Sequence, residues 1–153
     1  MWKRTLPLAV LLSTLSVGCV VDPPPQNNRP HTVAVVLFSI NPNVARSVGA
    51  PDTFHGYPIL GKLEVRGDDK AGLLSALAKG QANKPEHGAK CFIPRHGLRL
   101  TKAGDSQDYV ICFQCNYIDT GKDGEKSTRD TISDAPRVVF NRILNEARIP
   151  IAQ

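Results

Sequence analysis

Residues 32–40, Thr-Val-Ala-Val-Val-Leu-Phe-Ser-Ile, form a continuous apolar run rich in β-branched side chains. Such a run predicts a buried strand. Asn41-Pro42-Asn43 ends it, and residues 44–57 hold Gly49, Gly56 and the Pro51-Asp52 turn signal, a loop in which His55 is expected to be solvated. Over 57–66, Leu63 and Val65 alternate with Lys62, Glu64 and Arg66, the period of a half-buried strand. An Asp of Gly67-Asp68-Asp69 then offers a helix cap, and Ala71, Leu73, Leu74, Leu77 and Ala78 recur at helical spacing. Gly80 suits the C-terminal end of that helix. Leu98 and Leu100 alternate with Arg99 and Thr101, a polar turn covers 102–108, and 109–113 is strongly apolar, which together predict a β-hairpin. A Gly, Lys and Asp loop is expected over 119–126 and a short strand near 128–132. Ser133-Asp134-Ala135-Pro136 reads as a helix start, followed by Val139, Phe140, Ile143, Leu144 and Ala147 on one face and Pro150 as the stop. The sum over 32–153 is one α+β domain, a small antiparallel sheet of about five strands with two helices packed on one face.

Composition agrees with a globular domain: of 153 residues, 41% are hydrophobic and 22% charged. Aromatics make up only 6%, so the core should lean on aliphatic side chains. The net charge of +5 is partly a property of the N-terminus, where Lys3 and Arg4 stand without an acid. From Cys19 onward 17 basic side chains face 14 acidic ones, mixed along the chain without a basic stripe. That distribution argues against a nucleic-acid partner.

The first residues read as an address. Met1 to Arg4 is a short basic start, and residues 6–17 are apolar apart from Ser13, Thr14 and Ser16. The stretch is too short to span a bilayer and has the layout of a secretory signal peptide over 1–18. Its end, Leu15-Ser16-Val17-Gly18-Cys19, resembles a bacterial lipobox. Gly18 matches the small residue before the cysteine, while Ser16 stands where Leu is usual and Leu15 comes one place early. The resemblance implies cleavage before Cys19, lipidation of its sulfur and acylation of the new amine. Each buried acyl CH₂ contributes about 0.8 kcal/mol, so two or more chains give a stable anchor in the cell membrane or the outer membrane. Residues 19–31 include Pro23-Pro24-Pro25 and Pro30, an extended tether between that anchor and the domain.

Three cysteines remain, spaced Cys91-x4-His96-x15-Cys112-x2-Cys115. Three thiolates and an imidazole suit a tetrahedral zinc ion, yet residues three apart on a strand face opposite ways, and no Gly or Pro near Phe113 eases a bend. An exported chain meets an oxidising compartment, where Cys91 bridged to Cys112 or Cys115 would leave one thiol over. A Cys112–Cys115 ring resembles those of thiol oxidoreductases, but Asn116-Tyr117-Ile118 is no helix start of the kind that lowers a thiol pKa. All three cysteines as plain core complete the choices. His96, between Arg95 and Gly97, reads as a histidine at a specified turn, with roles as metal ligand or as base for Cys91 as the alternatives. Pro94 biases Ile93 to extended backbone, and Gly97 is expected to supply the left-handed turn. Arg95 and Arg99 either draw an anion or pair with Asp105 or Asp108, and with Lys102 they could meet an acidic partner only if all three shared a face. No phosphate loop, His-Glu-x-x-His, nucleophile elbow or paired-carboxylate motif is present.

Cys91-Phe92-Ile93-Pro94-Arg95-His96-Gly97 and Ile111-Cys112-Phe113-Gln114-Cys115 resemble the CF-x-PRHG and ICF-x-C segments of an uncharacterised bacterial family. Gly61-Lys62 and Phe140-Asn141-Arg142-Ile143-Leu144 extend the likeness over about residues 54–150. It implies that Cys91, His96, Cys112 and Cys115 act as one constellation, and it carries no chemistry. The expectation is a membrane-tethered, exported binding or accessory module with a structural Cys/His cluster. The alternative is a metal- or thiol-dependent enzyme using those four residues.

Overall fold

The computed structural model describes residues 32–153, so the signal segment 1–18, the tether 19–31 and Cys19 lie outside the described residues. The elements are β1 (Ala34–Ile40), β2 (Thr53–Phe54), β3 (Tyr57–Glu64), α1 (Gly67–Ala82), β4 (His96–Lys102), β5 (Asp105–Cys112), β6 (Tyr117–Gly121), β7 (Thr128–Thr131) and α2 (Arg137–Glu146). The fold is α+β, and the strands form one sheet in the order β2-β3-β1-β4-β5-β6-β7 with every pairing antiparallel.

The apolar run of β1 lies inside the sheet, between β3 and β4. Successive side chains of a strand alternate between faces, and both faces of β1 are covered. Val35 and Leu37 join a core with Leu73 and Leu77 of α1 and Phe140, Ile143 and Leu144 of α2. Phe38 and Ile40 join a second core with Phe54, Tyr57 and Val110. The sheet curls to close this second core. His55, just past β2, bonds to Asp108 of β5, although β3, β1 and β4 lie between those two strands in the sheet order.

Seven strands replace the expected five or so. The two that the pattern misses are β2, only two residues long, and β6, where Ile118 alone is buried, so the expected 119–126 loop is half strand. The expected 102–108 turn is tighter than its composition suggests. Ala103 and Gly104, both at positive φ, make a two-residue hairpin turn, and β5 starts at Asp105. The C-terminal helix stops earlier than Pro150. Arg148 adopts φ +57°, its N–H donates to the Asn145 carbonyl and that of Ile149 to the Leu144 carbonyl, a Schellman ending. Neither Ser133 nor Asp134 caps that helix through its side chain. Nor does Gly80 end α1, which runs on to Ala82; a Cβ on Gly80 would stand 2.4 Å from Pro136 Cγ, so glycine there lets the start of α2 approach.

Gly97 also differs from its expected role. It sits inside β4, paired with Phe38 and Val110, and has no left-handed backbone. A Cβ there would lie 2.6 Å from Cδ1 and Cε1 of Phe54, whose ring stacks on Phe38 with centroids 4.3 Å apart. The bare glycine is the seat of that ring. Gly97→Ala should therefore overpack the second core and lower stability by about 1–3 kcal/mol, read as a lower urea midpoint with an unchanged m-value.

Candidate functional site

The site forms where β1 ends and β4 begins, next to α2 and the C-terminal segment. Ser39 and His96 are register partners, so their side chains share one face of the sheet. Ser39 Oγ, fully buried, donates to the Pro150 carbonyl at 2.5 Å and ties down the chain after α2. His96 Nε2 lies 2.8 Å from Asn141 Oδ1 on α2. The imidazole is wedged among aromatics, 5.2 Å from the Phe113 centroid and edge-on to Phe140 at 5.8 Å. Burial pushes its pKa down to about 4, with the bond to Asn141 opposing the shift and the charges of Arg95 and Arg137 adding to it. His96 is therefore neutral at neutral pH and donates through Nε2, which leaves the Asn141 Nδ2 hydrogens free to serve another acceptor.

Above His96 opens a cleft of about 630 Å³. Arg137, Asn141 and Asn145 line it at positions i, i+4 and i+8 of one helix, a single stripe of α2. Arg95 and Gln114 line it from the opposite side, and Ile151, Ala152 and Gln153 complete the rim. Arg95 is held by donating Nε to the Ala152 carbonyl at 2.9 Å and Nη1 to Gln114 Oε1 at 2.9 Å. Two guanidinium groups and four carboxamides thus border the opening, with no Asp or Glu side chain among them. Such a lining can accept a negatively charged, hydrogen-bonding group.

The cysteines gather elsewhere. β5 ends at Cys112, and residues 113–116 turn back, with Asn116 at φ +57° and the Cys115 N–H donating to the Cys112 carbonyl at 3.2 Å. Asn is among the few residues that accept this left-handed conformation readily, and past the turn it redirects the chain into β6. The turn brings Cys112 and Cys115 together as a disulfide, with Cα atoms 5.2 Å apart. The Cys91 thiol is exposed and lies 3.1 Å from Cys115 Sγ. His96 pairs with Ile111 in the register of β4 and β5, so it shares the face of Ile111, while the next residue, Cys112, belongs to the opposite face. The three sulfurs are therefore assembled and the imidazole is kept apart from them. Among the described residues no three His, Cys, Asp or Glu side chains are grouped to hold a metal ion.

Arg95, Arg99 and Lys102 do not make one patch. Arg99 and Lys102 lie three apart on β4 and face opposite ways, and Arg99 is committed to Asp108 through Nε at 2.7 Å and Nη2 at 2.6 Å. His55, expected in solvent, is only 7% exposed and bonds to the same carboxylate at 3.0 Å. Burial acts to raise the Asp108 pKa, but the hydrogen bonds from Arg99 and His55 overcome it and hold the carboxyl below its usual range. The pattern also gives no role to Asn141, Arg137 or Gln114. Their i, i+4 spacing with Asn145 was the available signal for the helix stripe; nothing local marks Gln114.

An unfolded histidine titrates near 6.5 and folded His96 near 4. Between those values the unfolded chain binds a proton that the folded chain refuses. Folding is undisturbed by this group above 6.5 and loses about 3 kcal/mol as pH falls to 4. His96→Gln, which retains a donor for Asn141, should flatten that part of the profile. Urea titrations of both proteins at pH 7 and pH 4 should show the difference between them changing by about that amount. Compared with family models, curated proteins and solved structures, the chain matches none of them.

Proposed function

We propose that the chain is an exported, lipid-anchored binding module, held to the cell envelope through Cys19 and presenting the cleft above His96 to a small anionic ligand. The anchor is supported by the basic start, the short apolar segment and the lipobox-like end at Cys19. No described helix is long and apolar enough to cross a membrane. In this proposal both helices pack on one face of the sheet, a placement supported by their shared core with Val35 and Leu37. The likeness to the bacterial family with CF-x-PRHG and ICF-x-C segments belongs to the same proposal. Its quoted residues Arg95, His96, Gln114 and Asn141 all line the cleft.

The cleft lining carries the functional reading. Arg95 and Arg137 supply charge, and Asn141, Asn145 and Gln114 supply directional bonds, with no carboxylate side chain competing. His96 serves as the buried support that orients Asn141. Such a site recognises a carboxylate or phosphate group by charge-assisted hydrogen bonds, and it needs no reacting group to do so. The role is binding rather than catalysis.

Two measurements test this. Calorimetric titration of the purified chain with citrate and with inorganic phosphate should show binding that weakens as salt is raised. Arg137→Gln should reduce it about tenfold with the fold unchanged by circular dichroism. Absence of binding, or equal binding by Arg137→Gln, would count against the cleft. Separately, Cys19→Ala in bacteria should move the protein from the membrane pellet to the soluble or uncleaved fraction and abolish incorporation of labelled palmitate. Unchanged labelling would remove the anchor from the proposal.

A further inference from the structure

We propose that Cys91, Cys115 and Cys112 form a thiol–disulfide exchange relay, in which Cys91 is the port between low-molecular-weight thiols outside and the buried pair. The bonded cysteines are out of reach of any external thiol, with Cys112 1% and Cys115 0% exposed. Cys91 is exposed, and its sulfur lies 3.1 Å from Cys115 Sγ, inside the sum of two sulfur van der Waals radii. Its position is fixed from both sides. The Ala89 N–H donates to the Cys115 carbonyl at 2.9 Å and the Ile93 N–H to Cys115 Sγ at 3.4 Å. Phe92 is clamped under the Arg129 guanidinium, 4.0 Å from its ring centroid. The sulfur that would leave is prepared as well, because Cys112 Sγ shares the Cys115 N–H with the Cys112 carbonyl, each at 3.2 Å, so a donor already reaches the developing thiolate.

The first step needs no oxidant. Cys91, deprotonated to water, attacks Cys115 Sγ. The Cys91–Cys115 bond forms, the Cys112–Cys115 bond breaks with its electron pair on Cys112, and Cys112 takes up a proton. The exposed Cys91 sulfur now belongs to a disulfide. A small external thiolate attacks it, forming a mixed disulfide with Cys91 and releasing Cys115 as a thiolate. A second external thiol attacks the mixed disulfide, releasing Cys91 and the external disulfide. Two external thiols have then given two electrons to the pair, and the same steps run backwards let an external disulfide reoxidise it. The relay and the cleft border the same 113–116 turn but use different side chains, so thiol mapping and ligand titration report on them separately.

The folded chain is treated with 2-mercaptoethanol, quenched in acid, and its free thiols are alkylated and mapped by mass spectrometry. Opening of Cys112–Cys115 should be at least tenfold slower in Cys91→Ser than in the natural sequence under native conditions, and equally fast for both in concentrated urea. Equal native rates would overturn the relay. Cys112→Ser supplies an independent arm: oxidised under native conditions, it should hold a Cys91–Cys115 bridge, and two persistent free thiols there would overturn the proposal. Should Cys91→Ser fail to fold, this second variant decides.

Discussion

A strand apolar on both faces cannot lie on a surface, and β1 imposes that constraint on everything around it. Val35 and Leu37 require cover on one side, and they belong to a core that also holds Leu73, Leu77, Phe140, Ile143 and Leu144. Phe38 and Ile40 require it on the other, where the sheet itself curls to bring Phe54 and Tyr57 over them. The two cores are thus consequences of one run of nine residues. So is the position of the cleft, because Ser39 and His96 stand at the end of the β1–β4 pairing, where the covering helix gives way to the C-terminal segment.

Two buried polar groupings hold this arrangement in a single form. On the curled side, Asp108 is 1% exposed and would be costly if unpaired, but Arg99 directly across the ladder and His55 from beyond β2 both donate to it. That triad ties the edge of the sheet to its middle. On the helical side, His96 and Asn141 satisfy one another between β4 and α2. Burying the imidazole in its neutral form keeps a charge out of the aromatic cluster, and it leaves the carboxamide of Asn141 oriented for the cleft.

The cysteines follow from the same alternation that places His96. A strand cannot direct Ile111 and Cys112 to one face, so an imidazole that shares the face of Ile111 is separated from the sulfur beside it. The turn closed by the Cys115 N–H on the Cys112 carbonyl then returns Cys115 to Cys112, and the segment through Cys91 runs alongside, held by backbone donors to Cys115. Four residues that look like one constellation in the sequence become a sulfur cluster and a separate buried histidine. The cleft and the sulfur cluster share the 113–116 turn, since Gln114 lies between the bonded cysteines and accepts from Arg95.

What the sequence determined alone was whatever depends on neighbours a few residues apart. The helices over Leu73 to Leu77 and over Phe140 to Leu144, the buried run 32–40 and the 98–113 hairpin were legible because periodicity is local. The address proposed at Cys19 rests on signals of the same kind, as charge, apolar length and a small residue before a cysteine are linear features. Tertiary structure alone decided what depends on distant partners. β6 is a largely polar segment that becomes a strand because β5 offers an edge to pair with, and the short strand expected near 128–132 then finds its partner in β6. Gly97 is read as a turn until the Phe54 ring arrives to occupy its face. His55 looks solvated until Asp108, 53 residues away, closes on it. The cleft needs α2 laid beside β4, and the meeting of Cys91 with Cys115, 24 residues apart, needs the turn after β5 to lie beside the segment that carries Cys91.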